Sequence, residues 1–179
     1  MGEWKRINRK EVFRGHRVKV FEDELKRPDG KTVLYDLVEN RNGAAVLLVD
    51  DEENLILVSQ YRNVLNRDSL EIPAGSMDEE DADPEMTAIR EAEEETGFVP
   101  GKMRFVSTIL ASSGLFTEQT SIYIGTGLKQ GEVHRDPDEF LTVRKIPMEE
   151  VMKMIFSGEI CDGKTILAVY AYRDMIKNC

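Results

Sequence analysis

Four glutamates fall within five residues in Arg90-Glu91-Ala92-Glu93-Glu94-Glu95-Thr96-Gly97-Phe98, and no other segment restricts the fold as much. On a helix, Glu91, Glu94 and Glu95 stand at i, i+3 and i+4 and share one face. Like charges at that spacing repel and destabilise an isolated helix. Such a helix needs tertiary packing or a positive partner. Hard oxygen donors on one helix face suit magnesium or manganese; a solvated acidic face is the other reading of such a run. The flanks delimit the helix. Asp83 stands where an N-cap belongs, Pro84 where proline is tolerated, and Gly97 where a left-handed C-cap belongs. Met86, Ala88, Ile89 and Ala92 supply its apolar face, which leaves the carboxylates away from most of the buried side. Ile72-Pro73-Ala74-Gly75 reads as the loop that leads toward this helix.

The rest of the chain alternates strand and helix signals. Arg17 to Leu25 and Thr32 to Val38 read as two strands joined by the turn Pro28-Asp29-Gly30-Lys31. A hairpin of this kind has little core of its own and must pack on something. Asn40-Arg41-Asn42-Gly43 is a turn and the expected boundary between an N-terminal β subdomain, 1–40, and a main domain, 41–179. Ala44 to Val49 is continuously apolar, the mark of a strand covered on both faces. Leu55 to Val58, Arg104 to Leu110, Ser121 to Thr126 and Phe140 to Ile146 read as further strands. Met148 to Phe156 and Gly163 to Met175 read as helices. The order predicts an α+β fold with a mixed β-sheet core sandwiched by helices.

Charge narrows the partners. The chain has 34 acidic and 24 basic residues in 179, a formal net charge of −10. That disfavours nucleic acid and membrane surfaces, which select basic patches. A phosphate-handling site here needs local arginines or a metal. Cys161 and Cys179 lie far apart, without metal-ligand spacing, and read as free thiols in a reducing compartment. With no signal-peptide pattern and no membrane-length apolar run, a cytoplasmic protein is expected.

Gly75 together with the Arg90–Phe98 run resembles the Nudix box: Gly, five residues, Glu, seven residues, then Arg-Glu-apolar-x-Glu-Glu-x-Gly-apolar. Gln60-Tyr61-Arg62, Leu70-Glu71-Ile72-Pro73-Ala74-Gly75 and the N-terminal strands around Pro28-Asp29-Gly30-Lys31 extend the likeness to the ADP-ribose pyrophosphatase branch. Two departures stand out. Between Gly75 and Arg90 there is one residue too many. The first box Glu is therefore replaced by Asp81 counting forward, with Glu80 or Asp83 as alternatives, or by Ala82 counting back. The branch's Ser-Pro-Gly is Ser112-Ser113-Gly114 here.

The resemblance implies a Nudix fold and metal-dependent hydrolysis of a small-molecule nucleoside diphosphate derivative, ADP-ribose first. It places Mg2+ or Mn2+ on Glu91 and Glu95 and on the Ala74 carbonyl, with Glu94 binding a further ion or supporting the others. Arg90, four residues before Glu94, orients that carboxylate or forms a simple surface pair. Glu93 is left solvated. The resemblance also implies a general base from a late acidic loop: Glu139 in Asp136-Pro137-Asp138-Glu139, or Glu118 instead. Arg62, Glu71, Gly114 and Glu118 are the expected substrate contacts, with Glu71 bonding a sugar hydroxyl or Arg62. Trp4, Phe13, Phe21 and Tyr35 are candidates to stack on adenine. Enzymes of this kind exchange the N-terminal region across a homodimer, which suits a hairpin unable to bury itself.

Overall fold

The computed structural model describes residues 3–78, 81, 83–133 and 140–177. The chain divides into two compact units, Met1–Asn42 with Leu110–Gln119, and Gly43–Ile109 with Thr120–Cys179.

The first unit is a three-stranded antiparallel sheet in the order β1 (Lys5–Arg14), β2 (Lys19–Lys26), β3 (Thr32–Glu39). The sequence reading expects two strands, and β1 is the addition. It is exposed along almost its whole length, so no apolar alternation marks it. Asp23 of β2 is buried and held by Arg9 through two hydrogen bonds of 2.6 Å. Residues 110–119 complete the unit from far along the chain. After a turn in which Phe116 N donates to Ser112 O, Val38 N donates to Leu115 O and Thr117 N to Val38 O. None of the buried apolar side chains among the described residues belongs to this unit.

The second unit is built on a seven-stranded mixed sheet, in the order β10 (Leu141–Pro147), β5 (Asn54–Arg62), β4 (Gly43–Val49), β9 (Gln119–Gln130), β8 (Phe98–Leu110). Two short strands join it, β6 (Arg67–Glu71) on β5 and β7 (Ala74–Ser76) on β4. β4 and β9 run parallel; β4 pairs antiparallel with β5 and β7. The apolar run of β4 is covered on both faces, as its composition requires. Ala45, Leu47 and Val49 point into the larger core, with Val151 and Met154 of α2 (Met148–Ser157) and Ala168, Val169 and Tyr172 of α3 (Gly163–Lys177). Ala44, Val46 and Leu48 point the other way, onto Ala88 and Ala92 of α1 (Pro84–Thr96). The α+β class and the sheet between helices are thus as expected. β6 and β7 are not. Ala74–Gly75 is paired strand rather than free loop, because Pro73 O accepts from Val46 N at 3.0 Å and Ala74 pairs with Ala45.

The candidate active site

α1 begins and ends where its residues dictate. The Asp83 side chain accepts from Met86 N at 3.0 Å, Pro84 opens the first turn, and Gly97, at φ 74°, returns its N–H to Glu93 O. The buried face is the expected one only in part: Ala88 and Ala92 are fully buried, but the carboxylates are not kept away from it. Met86 is 51% exposed, and the face turned inward carries Thr87, Ala88, Glu91, Ala92, Glu95 and Thr96. Ala88 and Ala92 are small enough to bring the helix close to β4. That closeness takes Glu91 and Glu95, each three residues after one of these alanines, out of solvent. Two of the box carboxylates therefore lie within the buried side of the helix.

Gly75 faces them. A Cβ built there would lie 2.0 Å from Glu91 Oε1 and 2.1 Å from its Cδ. The Glu91 carboxylate rests on the β7 backbone in space that only glycine leaves open, one residue from Ala74. Carboxylate oxygens and a peptide carbonyl are the donors that hard divalent cations select, so the residues fit magnesium or manganese by type. The three glutamates do not form a ready cage, however. Among the described residues, no three His, Cys, Asp or Glu side chains are grouped to hold an ion. Arg90 explains part of this. Its Nη1 donates to both Glu91 Oε1 (2.8 Å) and Glu94 Oε2 (2.9 Å). The expected orienter of Glu94 is a bridge between two carboxylates. Glu93 is not merely solvated, since its Oε1 accepts from Glu132 N at 3.2 Å.

The shortened acid at the front of the box is absorbed by the same arginine. Asp81 Oδ2 accepts from Arg90 Nη2 (3.1 Å), Thr87 Oγ1 (2.8 Å) and Asp78 N (2.9 Å). Arg90 Nη2 also donates to Ser76 O at 3.2 Å. One carboxylate thus ties Asp78 and Ser76, through Arg90, to the first turns of α1. The Asp78 N–H and then Arg90 hold the Asp81 carboxyl down to about 2. Of the other candidates for that place, Asp83 is engaged as the N-cap of α1, and Glu80 and Ala82 lie outside the described residues.

Arg62, at the end of β5, meets Glu71, at the end of β6, in a two-pronged pair: Nε to Oε1 at 2.8 Å and Nη2 to Oε2 at 2.7 Å. Of the two partners foreseen for Glu71, Arg62 is the one observed, and Lys164 joins it, with Nζ 2.5 Å from Glu71 Oε2. Lys164 also donates to Asp162 Oδ1 at 2.9 Å. The other Asp162 oxygen caps α3 by accepting from Thr165 N and Oγ1, and Thr165 Oγ1 accepts from Ile72 N at 2.9 Å. Burial alone would raise the Glu71 pKa. Arg62 and Lys164 prevail and hold it at about 2. Sequence reading missed Asp162 and Lys164. The usable signal was the Asp162-x-x-Thr165 capping pattern, with a lysine inside its first turn.

The remaining expected residues belong to the first unit or lie outside the described residues. Glu118 belongs to the first unit, where its Oε2 accepts from Asn40 Nδ2 at 2.6 Å. Gly114 sits in the turn that precedes it. Trp4, Phe13 and Tyr35 are about half exposed, and Phe21 lies under the Arg9 guanidinium, 5.1 Å from the ring centre. Glu139 lies outside the described residues, as does Cys179; Cys161 is exposed.

A profile described as NUDIX domain matches residues 39–167. An ADP-ribose pyrophosphatase of Bacillus subtilis (strain 168) is 34% identical over 169 residues, covering 93% of this chain and 91% of that protein. A methanol dehydrogenase activator of Bacillus methanolicus is similar to the same degree, 34% over 169 residues with the same coverage. Among solved structures, one titled "Crystal structure of ADP compounds hydrolase" shares the fold, with a TM-score of 0.87 at 21% identity, covering 99% of this chain and 96% of that one. No helix among the described residues is long and apolar enough to cross a membrane.

Proposed function

The chain belongs to the Nudix family and is a hydrolase of it, and from that premise we propose that it cleaves the pyrophosphate bond of ADP-ribose, giving AMP and ribose 5-phosphate, with Mg2+ or Mn2+. The observation that carries this reading is the set of box carboxylates, Glu91, Glu94 and Glu95, all kept, with two of them buried and Glu91 seated on Gly75. A purely binding relative has no need to bury two like charges. Similarity to an ADP-ribose pyrophosphatase over nearly the whole chain supports the choice of substrate.

In this reading Glu91, Glu95 and the Ala74 carbonyl hold the metal, with Glu94 supporting them or taking a second ion. When bound, the ion neutralises pyrophosphate charge and acidifies a water. Arg90 spaces the carboxylates, and Asp81 anchors the loop. Arg62 offers a guanidinium edge to a phosphate, held from behind by Glu71. Glu139 accepts the proton of the attacking water; Glu118 is the alternative, disfavoured because Asn40 already engages it. The first unit supplies homodimer contacts and the adenine platform. Its lack of buried apolar side chains among the described residues and its exposed Trp4, Phe13 and Tyr35 support that role.

A broader nucleotide-sugar or ADP-compound pyrophosphatase is the second reading, favoured by Ser113 at the place of the branch's proline. Hydrolysis of ADP-ribose, GDP-mannose, NADH and diadenosine polyphosphates, compared side by side with Mg2+ and with Mn2+, tests both. ADP-ribose should show the highest kcat/KM. If it ranks among the poorest, the first reading fails. Binding without turnover under saturating metal would instead make the protein a sensor.

A further inference from the structure

The four-charge cluster at the start of α3 contains a residue that no site reading of the sequence includes. Glu71 is buried, with its side chain only 5% exposed, and Lys164 is nearly so at 16%; the Arg62 side chain is 39% exposed. Arg62 therefore meets solvent while the two groups behind it do not. A planar guanidinium that grips a carboxylate through Nε and Nη2 turns its Nη1 edge away from that carboxylate. An anion approaching Arg62 from outside meets that edge.

Charge sets the problem. An isolated Arg–Glu pair is neutral, so a carboxylate directly behind the guanidinium cancels much of its attraction for phosphate. Here Glu71 Oε2 is shared between Arg62 and Lys164, and Lys164 is placed by Asp162, which the capping bonds to Thr165 hold in turn. Two cations and two anions balance. Without the lysine the same cluster holds one cation and two carboxylates, a net negative charge where an anion has to dock. The lysine also fixes which way Glu71 points, and through Glu71 the plane of Arg62.

We propose that Lys164 is a positioning residue for substrate binding: by sharing Glu71 with Arg62, it keeps the guanidinium aligned and effectively cationic toward a phosphate of the nucleoside diphosphate. The proposal rests on the reading that Arg62 meets the substrate's phosphate. Lys164 makes no contact with the reacting atoms. Its role is to strengthen binding in the ground and transition states alike, which raises affinity and leaves the chemical step alone.

The test is a double-mutant cycle of Lys164→Met and Arg62→Ala. It reads KM and kcat for ADP-ribose with Mg2+, the Kd of ADP-ribose by calorimetry in EDTA, and the melting temperature. Lys164→Met should raise KM and Kd roughly tenfold, with kcat within about threefold. In the Arg62→Ala background the same change should add less than about twofold, because the group it acts through is gone. Lys164→Arg should restore most of the lost affinity. An unchanged KM in Lys164→Met, even with a lower melting temperature, makes the lysine structural only and overturns the proposal. So does an effect undiminished without Arg62, or a fall in kcat at constant KM. If the wild type neither binds nor hydrolyses ADP-ribose, the substrate reading fails, and the cycle is run with the nucleoside diphosphate derivative it hydrolyses best. If it hydrolyses none, both readings fall.

Discussion

Arg62 and Arg90 are both guanidiniums set among carboxylates, yet the first lies in a cluster whose charges balance and the second in one whose charges do not. Around Arg62 stand Glu71, Lys164 and Asp162. Around Arg90 stand Asp78, Asp81, Glu91 and Glu94, all within 4.0 Å, so four carboxylates share this one guanidinium. Burial raises the cost of an uncompensated charge. The balanced cluster can therefore be rigid and buried without help. The acidic one carries more carboxylates than its arginine alone offsets. The difference separates a region that holds its shape from a region that accepts charge.

The comparison breaks most visibly at the glutamates. Glu95→Gln should lower kcat roughly a thousandfold, about 4 kcal/mol of barrier. Its melting temperature should stay level or rise, since a like charge is removed from α1. Steady-state kinetics with calorimetry checks both, and unchanged turnover would take Glu95 out of the metal site. Gly75→Ala comes next. Its Cβ has no room beside Glu91 Oε1, so the carboxylate must swing away. We expect activity to fall about a hundredfold, a size typical of disturbed metal support. The control Ser76→Ala should stay within about twofold of wild type; equal losses in both would mean that the glycine contact is irrelevant.

The balanced cluster should respond in stability instead. Glu71→Gln should cost roughly 3 kcal/mol, because it leaves buried cations without their partner. Glu94→Gln, in the acidic cluster, should cost less than about 0.5 kcal/mol. Urea melts of the two variants sharpen the contrast, and similar losses would erase it. Acid should act through the same group. The Glu71 carboxyl is lowered from its ordinary 4.5 to about 2 in the folded chain. Its contribution is fully present above the unfolded value and is lost as pH falls from about 4.5 toward 2. The pH dependence of stability should flatten over that window in Glu71→Gln. Asp81→Asn should fall between Glu71→Gln and Glu94→Gln. Its amide oxygen still accepts from Thr87 and Asp78 N but loses the charge that meets Arg90, for about 1 kcal/mol.

Legibility followed the kind of signal each residue carried. The caps of α1 were readable because Asp83, Pro84 and Gly97 act on their own backbone. The double burial of β4 was readable because six consecutive apolar residues admit little else. The family followed from the resemblance of Gly75 and the Arg90–Phe98 run to the Nudix box. The orientation of α1 was not readable. Met86 and Ile89 outrank Ala88 and Ala92 in hydrophobicity, but the smaller pair permits the close approach that buries Glu91 and Glu95. β1 was missed because an exposed strand has no reason to alternate. The partnership of Glu71 with Lys164 was beyond reach because the two lie 93 residues apart and meet only through the fold.

The clasp between β3 and residues 115–119 bears on how the first unit comes into being. Asn40 Nδ2 reaches Glu118 across 78 positions, and Asn40 N reaches Thr117 Oγ1 across 77. A ribosome adding roughly 5–20 residues per second needs about 4–15 s to span that interval. The N-terminal meander, made first, must wait unfinished while some seventy residues of another unit emerge. It is completed late, as a closing seam rather than a starting nucleus, and a cut after Asn42 would free a fragment that lacks the segment that closes it.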